Sequence, residues 1–199
     1  FLLILMTIIT VFVLALLLYV MLRFNAKANP TPSKTSHNTL IEVLWTVLPI
    51  VILVVIAVPS FRLLYFQRVI PEVEMTVKAV GYQWYWGYEY PDHGDFAFDS
   101  LMLNDDERGD QPRLLATDTA MVVPVDTTIR VVVTGADVLH SFAMPAFGLK
   151  IDAIPGRLNE TWFKANKTGT FYGQCSELCG IRHAFMPFRI EVVEKEAFA

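Results

Sequence analysis

The stretch "YGQCSELCGIRHAFMP", residues 172–187, holds both cysteines of a 199-residue chain, with a glutamate between them and a histidine and a methionine behind. Two cysteines in an extracytoplasmic β-domain ordinarily pair as a disulfide, and their number alone favours that. Their neighbours point instead to a metal. His183 follows Cys179 by four residues, Met186 comes three further on, and His140 stands far upstream in "TTIRVVVTGADVLH", where a strand is expected to end. Thiolate, imidazole and thioether together suit copper. Zinc seldom recruits methionine, and magnesium or calcium takes oxygen ligands.

The segments around this stretch are short and rich in Val, Ile, Thr and aromatics, broken by Pro, Gly and Asp, which is the pattern of an all-β sandwich or barrel. "VEMTVKAV", "QWYWGYEY", "TTIRVVVTG", "ETWFKAN", "GTFYGQ" and "PFRIEVVE" are the clearest strands, and "LNDDERGDQP" (103–112) has the composition of a solvated loop. A strand-end histidine followed much later by a Cys, His, Met loop is the ligand order of a blue-copper β-barrel, where one Cys and two His hold a single copper with a weak axial Met. Here there is one thiolate too many. The second allows both sulfurs to bridge a pair of metals, with His140 and His183 as terminal ligands, one to each.

Further upstream the chain changes character. Phe1 to Leu22 carries no charge and as a helix would extend about 33 Å; Val43 to Phe61 is likewise uncharged, between Glu42 and Arg62. The first block is too long for a signal-peptide core and has no small-residue cleavage site behind it. The second is apolar on every side, and the remaining chain is too small to enclose such a helix. Both are expected to span a membrane, with Pro49 and Pro59 tolerated where neighbouring groups satisfy the freed carbonyls. Two domains follow: a transmembrane hairpin over 1–70, with spans at about 1–23 and 42–66, and an extracytoplasmic β-domain over 71–199. Arg23, Lys27 and Lys34 in the connection, against Arg62 and Arg68 after the second span, only weakly favour a cytoplasmic loop. Residues 1–61 carry three basic groups and one acid, so the net charge of −4 leaves −6 on residues 62–199. That acidity argues against nucleic acid and for solubility or a basic partner.

Taken together, "EVLWTVLP", "GYQWYWGYEY", "DVLHSF", "GLKIDAIPGRLNE" and "FYGQCSELCGIRHAFMP" resemble, in their order, subunit II of haem-copper cytochrome c oxidase with its binuclear copper A centre. The resemblance covers nearly the whole chain. It implies a two-helix transmembrane hairpin followed by an all-β cupredoxin-like Greek-key barrel. It implies two copper ions bridged by Cys175 and Cys179, each bound by one of His140 and His183, with Met186 a weak ligand. Glu177 would offer its backbone carbonyl to copper and its side chain to a magnesium or manganese ion shared with subunit I. Phe142 and Ala184 depart from the family, standing where many members have tryptophan and serine.

The resemblance also gives Trp84 the role of the aromatic through which an electron enters from cytochrome c, although aromatics in a strand usually pack a core. Tyr85 and Trp86 are left as packing. Glu89, Asp99, Asp118 and Asp137 match positions that dock the basic cytochrome c, where complementary charge raises the association rate. An acid at Glu42 is ordinarily an interfacial anchor, but its family position lies at the mouth of a proton pathway of subunit I. The implied function is electron delivery to haem a in subunit I, where oxygen is reduced with proton pumping. The implied partners are subunit I, the other oxidase subunits, cytochrome c and membrane lipid. The implied place is the bacterial plasma membrane with the copper domain in the periplasm, or the mitochondrial inner membrane facing the intermembrane space. Two alternatives are a membrane-anchored copper-delivery protein, which would be thioredoxin-like, and a quinol-oxidase subunit II, which lacks the ligands. No Cys-x-x-Cys-His occurs for a c-type haem.

Overall fold

The computed structural model describes residues 1–198 and divides into two compact units, Phe1–Tyr65 and Phe66–Ala199. The first holds α1 (Leu2–Arg23) and most of α2 (Thr39–Arg68). Neither helix has a buried residue, so their apolar side chains are bare on all sides, as a bilayer requires and water does not favour. Asn25 closes α1: its amide donates to the Leu22 carbonyl at 2.8 Å while its Oδ1 accepts from the Ala28 N–H at 2.9 Å. Asn38 opens α2, with Oδ1 accepting from the Ile41 N–H at 3.2 Å. α2 runs unbroken through Pro49 and Pro59, and begins and ends slightly outside the span expected from hydropathy.

The second unit is built from β1 (Met75–Tyr82), β2 (Tyr85–Tyr90), β3 (Phe96–Ser100), β4 (Met121–Pro124), β5 (Thr128–Gly135), β6 (His140–Met144), β7 (Leu149–Ala153), β8 (Asn159–Lys164), β9 (Gly169–Cys175) and β10 (Pro187–Val193), with a closing turn α3 (Lys195–Phe198). They form two five-stranded sheets, β3-β2-β1-β5-β8 and β4-β10-β9-β6-β7. β1 runs parallel to β5 and β10 parallel to β4; the other pairs are antiparallel. The core lies between the sheets. Val77, Val131, Trp86, Phe142, Phe188 and Ile190 are all fully buried. Phe142 stacks on Phe188 at 4.0 Å between centroids, and Trp86 meets both edge-on at 5.4 and 5.6 Å. Gly173 lets β9 approach this stack: a Cβ there would lie 2.2 Å from the Phe188 ring.

All six strands expected from the sequence are present, and β3, β4, β6 and β7 add to them. One expectation is corrected here. β5 stops at Gly135, and His140 is the first residue of β6 rather than the last of the preceding strand. β6 is buried at all five positions, so "HSFAM" has no polar face to alternate with its apolar one.

Candidate metal centre

β6, the end of β9 and the segment leading from it to β10 bring five donor atoms together. Cys175 closes β9, His140 opens β6, and Phe142 pairs with Cys175 across the two strands. The Cys175 and Cys179 sulfurs are 3.8 Å apart, far beyond a disulfide bond of about 2.05 Å, and both thiols are free and buried. His140 Nδ1 lies 3.9 Å from the Cys175 sulfur, and His183 Nδ1 lies 3.6 Å from the Cys179 sulfur. Met186 Sδ is 3.4 Å from the Cys179 sulfur. The Glu177 carbonyl stands 3.3 Å from the Cys175 sulfur, while its side chain is exposed. Each thiol thus has its own histidine.

These separations suit a shared cation. Two donors about 2.0 and 2.3 Å from one tetrahedral metal stand roughly 3.5 Å apart. His140, Cys175 and Cys179 are buried, so a metal there would be held in a dry, largely preformed cage. The soft donor set excludes the oxygen-loving ions from this cage.

The surrounding residues orient these donors. Asp137 Oδ1 lies 2.9 Å from His140 Nε2, which fixes the proton on Nε2 and leaves Nδ1 for the sulfur side. The same carboxylate accepts the Val138 N–H at 2.7 Å and the Gln83 N–H at 2.7 Å. Burial pushes the Asp137 carboxyl up, but these hydrogen bonds outweigh it and hold the group below the usual aspartate range. For His140 burial pushes the pKa down, and the contacts with Cys175 and Asp137 more than reverse that. Burial also raises Cys175, yet its contacts with His140 and with the backbone of Glu177 and Ser141 bring it to about 6. Burial and the adjacent Cys175 push Cys179 up to about 12.

Trp84 is half-buried, and its indole N–H donates to the Cys179 carbonyl at 3.2 Å, where the Gln83 amide also donates at 2.8 Å. Trp86 lies beneath the cage as packing, though its indole N–H donates to the Met186 carbonyl at 3.3 Å. Three residues that shape the cage were absent from the sequence-level candidates: Gly81, Gln83 and Gly180. Gly81 makes room for His140, since a Cβ there would fall 2.8 Å from the imidazole. A glycine inside the strand "KAVGY" is the signal that could have found it.

The other candidates are spread more widely. Glu89 is ion-paired to Lys78 across β1 and β2 at 2.9 Å. Asp118 accepts the Leu101 and Thr119 N–H groups at 2.8 and 2.7 Å. Asp99 is exposed on β3, opposite Gly87 of β2. Asp137 is exposed in part but has its carboxylate turned toward His140. Glu42 is half-buried in the first turn of α2, where a carboxylate meets the positive end of the helix dipole.

Comparison with known proteins agrees with this geometry. The family profile for the periplasmic domain of cytochrome c oxidase subunit II matches residues 75–193, and that for its transmembrane domain matches residues 1–63. A probable cytochrome c oxidase subunit 2 of Rickettsia bellii is 58% identical over 199 residues, covering all of this chain and 74% of its own length. Cytochrome c oxidase subunit 2 of Cereibacter sphaeroides is 50% identical over 218 residues, covering all of this chain and 72% of its own. Among solved structures, the periplasmic domain of cytochrome oxidase subunit II of Bradyrhizobium japonicum superposes with a TM-score of 0.62 at 67% identity, covering 65% of this chain and 91% of that one. The β-sandwich is therefore of the cupredoxin-like kind, preceded by two helices able to span a membrane, and the chain belongs to the cytochrome c oxidase subunit II family.

Proposed function

We propose that this chain accepts electrons from reduced cytochrome c at a binuclear copper A centre and delivers them to haem a in subunit I of the oxidase. The observation that carries this reading is the cage itself: two unpaired cysteines with a histidine beside each and a thioether against one of them. Cys175, Cys179, His140 and His183 would hold the two ions, with Met186 and the Glu177 carbonyl as weaker donors. When bound, the copper pair supplies one-electron transfer with the charge spread over both ions. The chain supplies rigidity, because donors on β6 and β9 and in the short segment between β9 and β10 would move little when that charge changes.

Trp84 is the residue through which the electron arrives, supported by its half-exposed ring and its hydrogen bond to the Cys179 carbonyl. Glu89, Asp99, Asp118 and Asp137 would contribute to the negative face that receives the basic donor. The ion pair of Glu89 and the inward carboxylate of Asp137 leave Asp99 and Asp118 the larger share. The exposed Glu177 side chain would meet magnesium or manganese at the boundary with subunit I, and Glu42 would stand at the entrance to the proton pathway there. Identity with bacterial relatives favours the plasma membrane, with the copper domain in the periplasm. The copper-delivery alternative would need a thioredoxin-like βαβ core, whereas both sheets here are joined without a crossover helix. The complete donor set argues against the quinol-oxidase alternative.

The test is Trp84→Phe in the assembled oxidase. Reduction by cytochrome c, followed by stopped flow, should slow by roughly 10–100-fold while copper content and spectrum persist. Undiminished reduction would remove Trp84 from the path, and loss of the copper spectrum would make it structural.

A further inference from the structure

Gln83 occupies the corner between β1 and β2 and is tied at both ends to the metal cage. Its side-chain amide donates to the Cys179 carbonyl at 2.8 Å, and its backbone N–H donates to Asp137 Oδ2 at 2.7 Å. The other Asp137 oxygen holds His140 Nε2 at 2.9 Å. A continuous hydrogen-bonded chain therefore runs from the Cys179 peptide, through Gln83 and Asp137, to the imidazole 39 positions earlier in the sequence. Gly180 is shaped to admit it. Its φ is +123°, and a Cβ there would lie 3.0 Å from the Trp84 ring and 3.2 Å from the Gln83 amide nitrogen. Only glycine leaves space for both donors to reach the Cys179 carbonyl, whose two lone pairs are then filled.

We propose that Gln83 is a positioning residue of the metal centre, strapping the Cys175–Met186 loop to the β5–β6 loop, whose Asp137 holds His140. The proposal rests on the copper reading given above. Trp84 cannot fill this role alone, because it touches only the Cys179 carbonyl, whereas Gln83 touches both loops. The side-chain bond is the part that substitution removes. The backbone bond to Asp137 survives in any non-proline variant, so His140 keeps its partner while the cysteine loop is left with the Trp84 bond alone. Because Gln83 is exposed, its replacement leaves the core between the sheets untouched.

The experiment compares the full-length chain in detergent with Gln83→Leu, which keeps bulk and removes the donors, and Gln83→Glu, which keeps shape and presents a carboxylate to the carbonyl. In the metal-free proteins the amides of Ser176, His183 and Phe185 report opening of the loop, since each is hydrogen-bonded within it or to β6. Their hydrogen exchange should accelerate several-fold, up to about tenfold, in both variants, with amides of β10 unchanged. In the copper-loaded proteins, loss of copper to a chelator should quicken by about tenfold and the midpoint potential should fall, because a positive dipole near the thiolate is gone. Exchange, copper release and potential equal to wild type would overturn the strap. A wild-type chain that takes up no copper would instead overturn the reading of the site, while the exchange measurement would still judge Gln83.

Discussion

At the scale of single residues, the cage depends as much on missing side chains as on ligands. Gly81 and Gly180 contribute no donor, yet each marks where a Cβ would strike the machinery. Gly81→Ala should push the His140 ring from its place, destabilise the domain by about 1–3 kcal/mol in chemical denaturation and lower copper retention. Unchanged stability with full copper would show that the ring has room to shift. The donor residues that the fold brings together could be picked out in the sequence, because soft donors at short spacing are chemically rare. Gln83 could not be read that way. A glutamine before a tryptophan looks like any surface residue until folding brings it 2.8 Å from a carbonyl 96 positions away. Asp137 is placed by the resemblance on a docking face, and only the fold turns its carboxylate toward His140.

Among the elements, the strands found from sequence are those with branched and aromatic side chains between clear turn signals. β6 escaped because all five of its positions are buried, β4 because it is four residues long and ends in proline, and β3 because it is an edge strand carrying an exposed Phe96. The parallel pairing of β1 with β5 joins distant segments and left no trace in local pattern. At its start Glu74 clamps the two strands: its Oε1 accepts the Thr128 N–H at 2.9 Å, and its own N–H donates to the Thr128 carbonyl at 3.1 Å. The Thr128 hydrogen bond holds the Glu74 carboxyl below the usual glutamate range. A depressed carboxyl binds its proton more weakly in the folded than the unfolded state. Its contribution is therefore present above the unfolded pKa and is lost as pH falls through the folded one. Glu74→Gln should flatten the acid side of the stability profile measured by thermal melting between about pH 6 and 3. A variant with the same acid limb as the parent would show that other carboxylates govern it.

For the molecule as a whole, two apolar helices bare on every side stand beside an acidic β-domain, the two parts of a membrane-anchored chain. The full chain should require detergent, whereas a fragment beginning near residue 71 should be monodisperse in plain buffer. Aggregation of that fragment would place part of the helical segment within its fold. Turnover with cytochrome c should weaken as ionic strength rises past about 0.1 M, since exposed charges more than a Debye length apart are then screened; a salt-independent rate would remove the acidic face from docking. Underlying all of this is the claim that the cage takes two metals rather than closing as a disulfide. The most direct measurement is copper quantification together with electron paramagnetic resonance of the full-length protein. Two coppers per chain and a mixed-valence signal delocalised over both are expected. One copper with a localised spectrum, or none with Cys175 bonded to Cys179, would contradict that claim.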